Sequence, residues 1–220
     1  PDYSKEKLLI DADIKGPGKA VGPYFDETPL KDSLGATLQE LQLDGDVNAR
    51  LHLDIPLNGE LVTAKGEVTL RNNSLFIKPL DSTLKNLSGK FSFINSDLQS
   101  EPLTASWFNQ PLNVDFSTKE GAKAYQVAVN LNGNWQPAKT GVLPVAVNEA
   151  LSGSVAWDGK VGIDLPYHAG ATYNVELNGD LKNVSSHLPS PLAKPAGEPL
   201  AVNVKVDGNL NSFELTGQAG

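Results

Sequence analysis

Hydrophobic and polar residues alternate through much of this chain. From Asp46 to Ile55 the apolar positions are Val47, Ala49, Leu51, Leu53 and Ile55, with Asp46, Asn48, Arg50, His52 and Asp54 between them. A side-chain period of two predicts a strand with one dry and one wet face. Val62, Ala64, Gly66, Val68 and Leu70 continue the pattern against Thr63, Lys65, Glu67, Thr69 and Arg71. Between the two runs, Leu57-Asn58-Gly59-Glu60 carries the Asn-Gly pair of a tight hairpin turn, so the two strands are expected to pair antiparallel.

Weaker alternation predicts strands over Leu8–Ile14, Leu75–Ile77, Phe91–Phe93, Leu112–Phe116, Tyr125–Leu131, Val161–Leu165, Tyr173–Leu177, Leu200–Val206 and Phe213–Leu215. Turn residues separate these segments, as in an antiparallel meander or barrel. Their one-sidedness differs from the all-apolar strands of a parallel sheet covered on both faces. The dry positions are Phe91 and Phe93; Val114 and Phe116; Val127, Val129 and Leu131; Val155, Ile163 and Leu165; Tyr173, Val175 and Leu177; and Val202, Val204 and Val206. One stretch has a different period: Leu30, Leu34, Leu38 and Leu41 follow Thr28 and Pro29, predicting a short amphipathic helix with Thr28 as its N-cap. Residues Val145–Leu151, after Pro144, are its expected counterpart.

Local matches recur in the same order along the chain. Leu43-Asp44-Gly45-Asp46-Val47 resembles Leu151-Ser152-Gly153-Ser154-Val155, and Leu53-Asp54-Ile55-Pro56 resembles Ile163-Asp164-Leu165-Pro166. Leu84-Lys85-Asn86-Leu87-Ser88 matches Leu181-Lys182-Asn183-Val184-Ser185, and Pro111–Phe116 matches Pro199–Val204. The expected division is residues 1–27 as the end of a preceding repeat, 28–140 as one unit, and 141–220 as a second, truncated unit. Lacking any methionine, the chain reads as a piece of a longer product, with any targeting or anchoring segment outside it.

Composition narrows the chemistry. With 40% hydrophobic and 20% charged residues, a folded chain is expected. The net charge of −8 opposes nucleic acid and anionic lipid surfaces as electrostatic partners. Without cysteine there is no disulfide, zinc knuckle or thiol nucleophile. Gly16-Pro17-Gly18-Lys19-Ala20-Val21-Gly22 has the wrong spacing for a phosphate loop, and Pro23, Tyr24 and Phe25 follow it instead of a helix. His52, His168 and His187 lie in separate segments without metal-ligand spacing, so no metal or other cofactor is expected. Asp46, Asp54, Glu67 and Asp115 take outward strand positions that keep a sheet soluble, and no catalytic residue is assigned. Trp107, Trp135 and Trp157 are read as core or as a plug rather than a sugar-stacking ladder. The sequons at Asn72, Asn86 and Asn183 arise easily in Asn- and Ser-rich strands and decide nothing.

A sheet with one dry face has to cover it with a second sheet, helices or a ligand. Tandem units point to a quasi-one-dimensional array whose dry faces join into a trough. The succession of helix, L-x-G-x-V strand, h-D-h-P turn, L-K-N-h-S and P-L-x-V-x-h resembles the AsmA-like proteins of Gram-negative envelopes. What the resemblance implies is an all-β fold: a curved, antiparallel, repeating β-groove, open like a taco shell, with one or two short helices. It further implies a periplasmic segment of an inner-membrane-anchored protein that binds acyl chains and moves phospholipids between inner and outer membranes, which it reaches through parts absent from this chain. The dry residues named above, from Val47 to Val206, would line the trough, and the piece could pair end to end through unprotected strands. The competing readings are a protein-binding assembly module for outer-membrane biogenesis, a closed structural β-sandwich, and a carbohydrate-active enzyme with converging carboxylates.

Overall fold

The computed structural model describes residues 6–20, 40–209 and 211–220. The helix expected from Thr28 lies outside the described residues except at its last two positions, where Glu40 is helical and Leu41 already opens a strand. The strands are β1 (Lys7–Pro17), β2 (Leu41–Asp44), β3 (Asp46–Pro56), β4 (Thr63–Ile77), β5 (Ser82–Ile94), β6 (Asp97–Ser100), β7 (Leu103–Trp107) and β8 (Gln110–Glu120). They continue as β9 (Ala124–Trp135), β10 (Leu151–Gly153), β11 (Val155–Pro166), β12 (Thr172–Asp180), β13 (Val184–Ser186), β14 (Ala201–Asn209) and β15 (Phe213–Ala219). The six-residue helix α1 (Val145–Ala150) forms where Pro144 predicts one. Thirteen of the strands belong to one antiparallel sheet, and β10 and β13 form a separate pair, so the expected all-β class holds.

The chain divides into two compact units, residues 1–103 with 116–125 and residues 104–115 with 126–220. In the first unit the strand order is β1-β3-β4-β5-β6, with the second half of β8 next. The β3–β4 hairpin has the expected register, Val47 opposite Leu70 through Asp54 opposite Thr63. Its connection is wider than a tight Asn-Gly turn, because β4 starts only at Thr63 and just Gly59 takes a positive φ, +87°. The run Leu75–Ile77 is the far end of the same 15-residue β4, not a separate strand. The interruption at Arg71-Asn72 is a bulge: Asn72 has φ +55° and the register against β5 slips between Leu70 and Leu75. Asn73, fully buried, holds that bulge by accepting the Arg71 N–H and donating to the carbonyls of Asp44 and Asp46. Leu70, Leu84, Leu87, Leu103 and Tyr125 make the closed core of this unit. Gly16–Gly18, in the stretch read as an ordinary turn, ends β1, and the Gly18 N–H donates to the Gly45 carbonyl at 2.7 Å.

In the second unit the order is the first half of β8, then β9-β11-β12-β14-β15. Leu112, Ala105, Val114 and Val184 are its buried apolar residues.

The two units share a module. In each, a short strand (β2 or β10) ends next to a glycine at positive φ, Gly45 at +94° or Gly153 at +93°. A long strand closing on Asp-h-Pro then turns into its antiparallel partner. The short strand pairs with a later part of its own module, β2 with the end of β4 and β10 with β13. The other sequence matches fall at different places in the topology. Leu84–Ser88 lies within β5, whereas Leu181–Ser185 leaves β12 through a tight turn into β13. Likewise Pro111–Phe116 lies in β8, two strands past β5, while Pro199–Val204 enters β14, the direct neighbour of β12.

Candidate functional site

Residues directly opposite each other in antiparallel strands project to the same side, so the registers define the faces. In the first unit Leu8, Ile10, Ala12 and Ile14 of β1 stand opposite Ile55, Leu53, Leu51 and Ala49 of β3. Ala49, Leu51 and Leu53 face Val68, Gly66 and Ala64 of β4, and Val68 and Gly66 face Phe91 and Phe93 of β5. The Phe93 ring lies over Gly66, where a Cβ would meet Phe93 Cζ at 2.7 Å and also collide with the Arg50 carbonyl. Phe91 packs against Phe116 with ring centroids 5.6 Å apart. Of the predicted dry residues only Val62 misses a strand, in the connection before β4, where it is 48% exposed.

The second unit repeats the arrangement with Trp157, Gly159, Val161 and Ile163 of β11 opposite Gly179, Leu177, Val175 and Tyr173 of β12. These face Val202, Val204, Val206 and Gly208 of β14, and then Ala219, Gly217, Leu215 and Phe213 of β15. On β9, Val127, Val129 and Leu131 are half-buried while Gln126, Ala128, Asn130 and Asn132 are exposed, so the apolar side is the sheltered one. Val155 and Leu165 take the same parity on β11.

Most of these side chains are neither buried like a core nor exposed like a surface. Leu51, Leu53, Ile55, Val68, Phe91, Phe93 and Phe116 in one unit, and Val155, Ile163, Leu165, Tyr173, Val175, Leu177, Val202, Val204 and Val206 in the other, are half-buried. Val47, Leu70 and Val114 are buried among protein neighbours instead. Among the described residues the only further sheet is the β10–β13 pair.

The opposite side is hydrophilic. In the first unit Lys7 pairs with Asp54 at 2.6 Å, His52 with Asp11 at 2.7 Å, and Lys90 with Glu67 at 2.8 Å. Exposed pairs of this kind add little stability; their effect is a wettable face. In the second unit Asp115 accepts from Asn130, and Asn203 donates to Asn178, which donates to Asp158. A hollow of about 540 Å³ is bordered by Asp158, Asn178, Asp180, Asn203 and Gln218 together with Ala156, Trp157, Ala201 and Val202, a lining of mixed polarity. No group of His, Cys, Asp or Glu among the described residues could hold a metal.

The sequence places Trp107, Trp135 and Trp157 in different segments, and the structure brings them together. Trp135 meets Trp157 edge-on at 4.7 Å and Trp107 at 6.3 Å, and Phe108 stacks on Trp107 at 4.8 Å. Phe108 and Asn109 form the turn between β7 and β8, with φ +48° and +59°. A left-handed φ costs an L residue roughly 1–2 kcal/mol, and this hairpin geometry normally selects Asn-Gly. No local signal predicts this cluster, because it depends on the order of the strands.

Fold and faces together define an all-β protein of hairpin modules, each with one aliphatic and one hydrophilic side. The chain belongs to the YhdP family, whose model, described as YhdP protein, matches residues 1–220. Over its whole length it is 99% identical to the intermembrane phospholipid transporter YhdP of Escherichia coli (strain K12), and it spans 17% of that protein's length. No solved structure matches it.

Proposed function

We propose that this chain is a segment of a hydrophobic conduit in the cell envelope, holding acyl chains on its aliphatic faces while phospholipids pass between inner and outer membranes across the periplasm. The observation that carries the reading is that the aliphatic side is only half-buried by protein along most strands of each unit, and is exposed on β1 and β15 at Leu8, Ile10, Ile14, Phe213 and Leu215. The phospholipid-transporter description of its E. coli relative supports it. No helix among the described residues is long and apolar enough to cross a membrane. The shared module supports a tandem repeat of such units.

Burying one methylene is worth roughly 0.8 kcal/mol, so a chain of about 16 carbons leaving water would gain on the order of 12 kcal/mol. A chain leaving a bilayer gains almost nothing. A lining dominated by Val, Leu, Ile, Ala and Phe therefore offers a nearly level path along most of its length, with the head group at the margin in water. This is binding and sliding, and it assigns no catalytic role to any side chain.

The test is organic extraction of the purified chain with lipid mass spectrometry, joined to photocrosslinking from a probe at Leu51 in cells. Bound phospholipid and a lipid crosslink are expected. Val68→Arg, in protein that still folds, should abolish both the crosslink from position 51 and transport, and Leu51→Asp should abolish transport. Peptide in place of lipid would favour an assembly module, and neither lipid nor crosslink would end the conduit reading.

A further inference from the structure

Trp107 and Trp135 are the last residues of β7 and β9, and Trp157 is the third residue of β11. Because neighbouring strands run antiparallel, all three fall at one lateral margin of the second unit's sheet. Trp135 and Trp157 share the parity of Val129, Leu131 and Val161, so they stand on the aliphatic face. Just beyond them lie the exposed Gln136 and Asp180, where the surface turns hydrophilic. The row continues from Trp157 across Gly179, Val202 and Ala219, all small or aliphatic.

An indole has an apolar body and one N–H donor, and it settles where an apolar medium meets a polar one. The two indoles differ in how that donor is used. Trp135 Nε1 donates to the Pro111 carbonyl at 2.6 Å, whereas Trp157 Nε1 is shielded from water and has no acceptor among the described residues. A shielded donor without a partner is an uncommon and costly arrangement. Phe108 completes the cluster from a backbone conformation that bulky residues seldom adopt, and such strain concentrates at functional positions.

We propose that this aromatic row meets the glycerol-ester region of a phospholipid, setting the level at which its acyl chains enter the aliphatic face, with the half-buried Trp157 ring turning so that Nε1–H, shielded in the lipid-free chain, donates to an ester carbonyl. The assignment rests on the reading that acyl chains occupy this face. Phospholipid is the occupant argued for because it joins hydrocarbon to a carbonyl acceptor at the boundary where these indoles sit. The 99% identical relative is moreover described as a phospholipid transporter.

The chain contains three tryptophans, all in this cluster, so its intrinsic fluorescence reports on this margin. The purified chain is loaded from vesicles with phosphatidylcholine bearing a nitroxide on one acyl chain, either next to the ester or at the methyl end. Bound lipid is quantified by mass spectrometry. The ester-proximal label should quench more strongly. Unlabelled diester lipid should be retained roughly three- to tenfold longer than its diether analogue, which lacks the carbonyl. Trp157→Phe, which keeps a ring but removes the donor, should erase that preference while the other two tryptophans are still quenched.

Equal or stronger quenching from the methyl-end label would make the cluster an internal plug and overturn the proposal. Equal retention of ester and ether lipids by the unmodified chain, or an ester preference surviving in Trp157→Phe, would overturn the hydrogen bond. If mass spectrometry finds no lipid loaded, the conduit reading falls and takes this one with it. Lipid bound without either signature overturns only the aromatic row.

Discussion

Leu51 and Leu70 are both leucines on the aliphatic parity of the β3–β4 hairpin, and truncating them should have different consequences. Leu70 is 4% exposed and packed by protein on every side. Leu70→Ala leaves a closed cavity and should cost about 2–5 kcal/mol. Leu51 is half-buried, opposite Ala12 on one strand and Gly66 on the other. On the conduit reading its exposed side meets lipid or water, so Leu51→Ala creates no closed void. Half of the roughly 0.8 kcal/mol per methylene for three carbons gives about 1.2 kcal/mol. Urea unfolding followed by circular dichroism measures both, and lipid retained by the folded protein, read by mass spectrometry, supplies the second axis. Leu70→Ala should cost the larger loss of stability and leave lipid retention in the folded fraction unchanged, whereas Leu51→Ala should cost the smaller loss and weaken lipid retention. A Leu51→Ala loss as large as that of Leu70→Ala would show a protein layer sealing this face, which refutes the open-face argument.

Gly66→Val should displace the Phe93 ring and strain β4 against the Arg50 carbonyl, a loss of about 1–3 kcal/mol from overpacking, read by thermal melting. Gly45→Ala must hold φ near +94° and push on Asn73 Nδ2, 2.8 Å from the new carbon, so it should cost at least about 1–2 kcal/mol and loosen the bulge, which hydrogen exchange at Arg71 would show. Asp97 feels burial, which raises its pKa. The Lys119 ammonium at 2.5 Å and the Glu120 N–H outweigh it, and the carboxyl titrates below its ordinary value of 3.8. A lowered folded-state pKa stabilises above the unfolded value and loses that contribution as pH falls through the folded one, so Asp97→Asn should flatten the acid limb of the stability profile below about pH 4.

The sequence makes some of this legible and hides the rest for physical reasons. Alternation from Asp46 to Leu70 specifies the central hairpin because each residue there has one unambiguous side. The wet positions of His52, Asp54 and Glu67 follow from the same pattern, and their cross-strand partners confirm it. Short strands such as β6, Asp97–Ser100, and β10, Leu151–Gly153, carry too few apolar residues to register as a period. Asn72 conceals the continuity of β4 because a bulge resets the parity in the middle of a strand. The resemblance of Leu84–Ser88 to Leu181–Ser185 misleads because four or five residues can match in composition while pairing with different neighbours. The meeting of the three tryptophans is non-local, set by which strands lie side by side.

The strict division of each strand between two sides gives this chain a reading frame of its own, two residues long. Deleting or inserting one residue inside β3 would turn every later side chain of that strand inside out, exchanging leucines for aspartates along the whole ladder. A change of two, or one absorbed in the connection at residues 57–62, would pass with the frame intact. Length variation among such modules should therefore collect in turns and bulges, and a hairpin can be shortened or lengthened from its tip without rewriting the surface it offers.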